Sequence, residues 1–251
     1  MNKKEIKDEI KESIEEPAAK AEKRELFLFF GLPESGKSTL AKEIYNRNQD
    51  QSIYLAADQI SLEYKLDQSD HYHWIFEIFD ELIEDYLKAG YSVVVDANLD
   101  KYQLRKKYYQ LDEEGGAEVK LFYLKCNLAE IEKRQQQRNQ LSDSELRSKG
   151  LYGHNQNAIE KYLQEMKPPQ ISEKVYLIDG NFDFAEQLAC WQQVEEEGLF
   201  DYFNNIRVSL LKNLDSEKAE SMAAYMRDKF PFYGLQAAER RSVLRKYMRQ
   251  Q

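Results

Sequence analysis

The residues best suited to chemistry lie in one run, Gly31-Leu32-Pro33-Glu34-Ser35-Gly36-Lys37-Ser38-Thr39, which fills every fixed position of the template G-x-x-x-x-G-K-[ST]. In that pattern glycines let backbone N–H groups close on phosphate oxygens, and the helix that follows adds its positive N-terminus. A nucleoside triphosphate is therefore the first ligand to consider, with Gly31, Glu34, Ser35, Gly36, Lys37, Ser38 and Thr39 as its candidate contacts. Lys37 would reach between the β- and γ-phosphates, and the Ser38 hydroxyl would ligate Mg²⁺, a hard cation that prefers oxygen donors. The plain alternative is a glycine-rich turn that caps a helix.

Five further positions fit the same chemistry. Asp96 closes the apolar run Ser92-Val93-Val94-Val95 and would hold the water shell of Mg²⁺ or orient Lys37. Asp58 follows Ile53-Tyr54-Leu55-Ala56-Ala57, where a carboxylate would take the proton of an attacking hydroxyl or cap a helix that begins at Gln59. Arg134 and Arg138 stand four apart on one helical face and would neutralise charge on a transferred phosphoryl group, or simply solubilise that face. Arg105 is a weaker candidate for contact with the acceptor.

The elements that must position these residues are legible as apolar runs. Leu26–Phe30, Ser52–Leu55, Ser92–Val95, Val119–Lys125 and Val175–Ile178 read as strands, each separated from the next by a segment of helical length. Continuous apolar strands in β-α alternation predict an α/β protein of the P-loop NTPase class, with a five-stranded parallel sheet covered by helices on both faces. Trp74, Ile75, Ile78, Phe79, Leu82, Ile83 and Tyr86 recur at helical spacing and read as core. Asp100 is placed to cap a helix from Lys101 to about Glu113, and the polar stretch from Asn139 to Asn157, with Gly150 and Gly153, reads as mobile. After Asp183 the strands stop, and helices are expected over 184–197, 199–214, 216–230 and 237–248. Residues 1–23 alternate Lys and Glu around Ile6, Ile10 and Ile14, which suggests a solvated helix or frayed tail closed by Pro17. The division expected is a charged tail over 1–23, a nucleotide-binding domain over 24–185 and a small all-helical segment over 186–251.

Composition narrows the partners. The 251 residues are 42% hydrophobic and 32% charged, with a mean hydropathy of -0.77, as expected of a packed core under very polar helices. No run reaches the length of a membrane span, and the charged N-terminus excludes a secretory signal, so a cytoplasmic protein is expected. Cys126 and Cys190 give no metal spacing and read as reduced packing residues, while His71 and His73 lie two apart, on opposite sides of a helix. Net charge is -9, yet residues 204–251 hold 10 Lys/Arg against 5 Asp/Glu, which leaves 26 against 40 elsewhere. Any nucleic-acid contact is thus expected through the basic C-terminal segment.

Taken together, the phosphate loop, Asp58 after the second strand, Val93-Val94-Val95-Asp96-Ala97-Asn98 with Arg105, and Arg134 with Arg138 resemble the P-loop kinases, AAA-type ATP-binding proteins related to polynucleotide 5′-kinases and zeta toxins. The resemblance spans about residues 24–183. It implies that Asp58 activates the acceptor hydroxyl and that Arg134 and Arg138 are lid arginines that stabilise the transferred phosphoryl group. Polynucleotide kinases place an arginine soon after the strand-two aspartate, whereas this chain continues Gln59-Ile60-Ser61-Leu62. Met222-Ala223-Ala224-Tyr225-Met226-Arg227-Asp228-Lys229-Phe230-Pro231-Phe232-Tyr233-Gly234-Leu235, with Glu239-Arg240-Arg241, resembles the opening of DNA alkylation repeat proteins over about 210–251. One partial repeat cannot bury its own apolar face, so no glycosylase activity is expected from it. Three functions follow as expectations: an ATP- and Mg²⁺-dependent kinase for a hydroxyl such as a nucleic-acid 5′ end in repair, a small-molecule kinase of zeta-toxin type, and a nucleotide-gated binding module.

Overall fold

The computed structural model describes residues 1–66, 73–114, 116–149, 173–198, 200 and 201, and singly 151, 159, 162, 169 and 204. Five strands, β1 (Glu25–Gly31), β2 (Ser52–Ala56), β3 (Ser92–Asp96), β4 (Glu118–Lys125) and β5 (Val175–Asp179), form one sheet in the order β2-β3-β1-β4-β5. Every pairing is parallel. Each observed strand contains its predicted run and extends it by one or two residues.

Alternation along β1 divides the core into two layers. Leu26, Leu28 and Phe30 pack under α1 (Lys3–Ser13), α4 (Trp74–Lys88) and α5 (Tyr102–Glu113), while Phe27 and Phe29 pack under α2 (Lys37–Asn48) and α8 (Phe184–Glu196). Helices therefore cover both faces, and burial on both sides explains why the strands read as unbroken apolar runs rather than alternating ones. Three further helices complete the described elements: α3 (Ala57–Glu63), α6 (Leu128–Asn139) and α7 (Asp143–Ser148).

Two local expectations are corrected. The N-terminal helix is packed rather than solvated: Ile6 and Ile10 are each 3% exposed against the core, and Asn2 and Glu5 form a capping box. Its lysines ladder along α4, where Lys3 pairs with Glu77, Lys7 with Glu81 and Lys11 with Asp85 at 2.9 to 3.1 Å. The stripe that looked weak in sequence found an acidic partner helix 74 residues away. Asp100 does not cap α5, because Lys101 occupies the N-cap position and no side-chain cap bond forms.

No described helix is long and apolar enough to cross a membrane. The helices expected over 199–248, the polar segment around Gly150 and Gly153, and His71 fall outside the described residues, apart from isolated positions.

Candidate active site

All five parallel strands point their carboxyl ends toward one edge, and the loops leaving that edge surround a crevice of about 670 Å³. This is where an open α/β sheet presents its ligand site. The phosphate loop leaves β1 at Gly31, where an added Cβ would stand 2.5 Å from the Leu124 carbonyl oxygen, so only glycine fits against β4. Glu34 at φ 62° and Gly36 at φ 102° turn the chain back on itself before α2 begins at Lys37. Gly36 also lies against the Phe184 ring at the start of α8. Glu34 accepts a conformation uncommon for a residue with a side chain, a local cost characteristic of ligand loops.

Lys37 folds over this loop and donates from Nζ to the carbonyls of Gly31 and Leu32 at 2.9 and 2.8 Å. Burial of the ammonium holds its pKa down at about 8, although Asp96, Asp58, Glu34 and Asp100 pull it upward. A cation so poorly compensated is ready for an anionic partner.

Two carboxylates face it. Asp96, the last residue of β3, accepts from Ser38 Oγ at 3.0 Å and from the Tyr54 hydroxyl at 2.6 Å. Asp58 sits in the first turn of α3 rather than at its cap, because the helix begins two residues earlier than expected, at Ala57. Burial first, and then the charge of Asp96, raises the Asp58 pKa above its ordinary 3.8, against the pull of Arg138 and Lys37. Both carboxylates line the crevice.

The two arginines of α6 reach the phosphate loop from above. Arg134 donates to the carbonyls of Glu34 and Gly180, each at 3.1 Å, and is braced by Glu130. Arg138 pairs with the Glu34 carboxylate at 2.5 Å. Their four-residue spacing puts both guanidinium groups on the face that looks into the crevice.

Arg105 is a correction. It is 1% exposed, forms a two-pronged ion pair with Glu173 at 2.6 and 2.8 Å, and donates to the Leu99 carbonyl. Tyr109 donates to the same Glu173 carboxylate, and the guanidinium stacks 4.9 Å from the Phe30 ring centre. Arg105 thus ties α5 to the chain entering β5 and is not among the residues that line the crevice. Its partner stands 68 residues away, so spacing could not reveal the pairing.

Several crevice residues carried no assigned role in the sequence reading, among them Tyr54, Asn98, Lys149 and Phe184. Tyr54 left a faint signal, since it is the polar-tipped residue between the buried Ile53 and Leu55 on a strand. Among the described residues no group of three or more His, Cys, Asp or Glu could hold a metal ion. Ser38 and Asp96 instead offer the sparse set of hard oxygens with which Mg²⁺ is bound when substrate phosphates and water complete its shell.

A parallel five-stranded sheet with this loop and these crevice residues is the P-loop kinase fold. The chain belongs to the AAA domain family, whose model matches residues 26–167. A second model, described as DNA alkylation repair enzyme, matches residues 206–251. No curated protein matches the chain by sequence. Among solved structures, Chaetomium thermophilum Kti12 in complex with ADP-AlF3 superposes with a TM-score of 0.55 at 14% identity, covering 68% of this chain and 97% of that one. A sugar kinase from Janibacter sp. HTCC2649, without ligand, gives 0.50 at 13% identity, covering 68% and 93%. At such identities the likeness is one of fold.

Proposed function

We propose that this chain is an ATP- and Mg²⁺-dependent phosphotransferase that moves a γ-phosphoryl group to an acceptor hydroxyl. The observation that carries this reading is the convergence of Lys37, Ser38, Asp96, Asp58, Arg134 and Arg138 on one crevice at the carboxyl edge of the sheet. The backbone N–H groups of the loop and the first turn of α2 cradle the β-phosphate, and Lys37 exchanges its two carbonyl contacts for phosphate oxygens. Ser38 donates its proton to Asp96, which leaves its lone pairs for a cation that the two residues would hold, Asp96 through water. Mg²⁺, when bound, would neutralise charge on the bound polyphosphate. Asp58 accepts the proton of the attacking hydroxyl, a role helped by a pKa raised above the ordinary carboxylate value. Arg134 and Arg138 stabilise the charge that builds on the transferred group, with Arg138 giving up Glu34 to do so. The similar fold of Kti12, crystallised with ADP-AlF3, supports the choice of nucleotide.

For the acceptor, the basic segment 204–251 and its match to a DNA alkylation repair model support a nucleic-acid 5′ hydroxyl handled in repair. A second reading, a small-molecule hydroxyl such as that of a nucleotide sugar or an antibiotic, is favoured by the withdrawal of Arg105 into the core, which takes one candidate contact for a nucleic-acid phosphate out of the crevice. Incubation with γ-labelled ATP and Mg²⁺ against 5′-hydroxyl DNA and RNA, nucleosides and nucleotide sugars separates them by the class of labelled product. On the correct acceptor, Asp58→Asn keeps ATP affinity and loses turnover by about 100- to 10,000-fold. Turnover unchanged in that variant removes Asp58 from the chemistry, and phosphate release with no labelled acceptor turns the reading toward a nucleotide-gated binding module.

A further inference from the structure

The mechanism above leaves several polar crevice residues unused, Tyr54 among them. Tyr54 lies on β2 two residues before Ala56, which pairs in register with Asp96 of β3. Its ring packs against Tyr45 of α2 with centroids 5.4 Å apart, so the phenol is held between strand and helix. From there the hydroxyl donates to Asp96 Oδ2 at 2.6 Å, while Ser38 donates to Oδ1 at 3.0 Å. The carboxylate is therefore fixed at both oxygens, from an adjacent strand and from the phosphate loop.

We propose that Tyr54 is a positioning residue for the cation site: its hydroxyl sets the rotation of the Asp96 carboxylate so that the free lone pairs of that group meet metal-bound water. The inference rests on the Mg²⁺-nucleotide reading and deepens it. Each carboxylate oxygen accepts more than one hydrogen bond, so the Tyr54 and Ser38 donors restrict Asp96 without exhausting it. Partners that orient a metal-holding group in this way commonly govern affinity for the ion by 10- to 100-fold, although they never touch it. A tyrosine needed only to fill space between β2 and α2 would not need its hydroxyl.

The test uses the full chain and a fluorescent ADP analogue, titrated without divalent cation and across a Mg²⁺ series. Tyr54→Phe keeps the ring on Tyr45 and removes only the donor. Its Mg²⁺-free affinity for the analogue stays within about twofold of wild type, while the Mg²⁺ concentration for half-maximal tightening rises about tenfold. An unchanged Mg²⁺ requirement overturns the assignment, and so does an equal loss of affinity with and without Mg²⁺, which marks a packing role. Wild-type protein that fails to bind the analogue at any Mg²⁺ concentration instead sinks the phosphotransferase reading together with this one.

Discussion

Two lysines at opposite ends of the sheet are solved in opposite ways. Lys120, near the amino end of β4, is 9% exposed and meets Glu25 at 2.7 Å and Glu195 at 2.9 Å, with Tyr176 also donating to Glu195. Those carboxylates outweigh the cost of burial and raise its pKa. Lys37, at the carboxyl edge, meets only carbonyl oxygens at bonding distance among the described residues, and burial lowers its pKa to about 8. Both are cations on the margin of an apolar core. One has its counter-charge supplied by the protein, and the other is left short of it. A charge that the fold completes serves the fold, whereas a charge left incomplete at the mouth of a crevice is available to a ligand.

The sharpest way to break this contrast is to delete each charge. Lys37→Met lowers phosphoryl transfer at least about 100-fold, read with labelled ATP, and leaves the melting temperature close to wild type. A large loss of stability in that variant would put Lys37 in the same class as Lys120. Lys120→Met has the reverse profile: it strands the carboxylates of Glu25 and Glu195, costs about 3 kcal/mol by denaturant unfolding, and leaves nucleotide affinity unchanged.

Alkaline titration sharpens the comparison further. Between about pH 8 and its ordinary 10.5, Lys37 has released its proton in the folded chain while the unfolded chain still holds one. Wild type therefore gains stability relative to Lys37→Met as pH rises through that window. Lys120 behaves in the opposite sense, since its raised pKa gives a contribution fully present below 10.5 and lost as pH climbs through the folded value. Parallel pH–stability curves for the two variants would erase the distinction.

The smallest effect expected is a displacement of the acid limb of kcat/KM. Asp58 must be ionised to act as a base, so that limb lies above the ordinary carboxylate value, and Arg138 holds it down. Arg138→Gln moves the limb to higher pH, and a limb that stays in place detaches Arg138 from Asp58.

The sheet was legible before the structure because a parallel strand buried on both faces needs apolar residues at every position, and five such runs stand out from their charged surroundings. The phosphate loop was legible for a different reason: its chemistry needs neighbours along the chain, so Gly31, Gly36, Lys37 and Ser38 must keep a fixed spacing. Arg134 and Arg138 share a face by helical geometry alone. Arg105, a weaker candidate in the sequence than those two, turned inward, because Glu173 and Tyr109 enclose it.

Contacts between distant segments obey no spacing rule. Whether Asp96 would be gripped by Tyr54, 42 residues earlier, whether Arg105 would turn inward, and whether Ile6 and Ile10 would find the core all depended on how layers pack. Local covalent geometry fixes what a loop of neighbouring amides can bind, so the order of residues alone announced an anion cradle. Burial and counter-charge arise only when remote segments meet, so the division between arginines of the site and the arginine of the core, and between a satisfied and an expectant lysine, came from the folded chain.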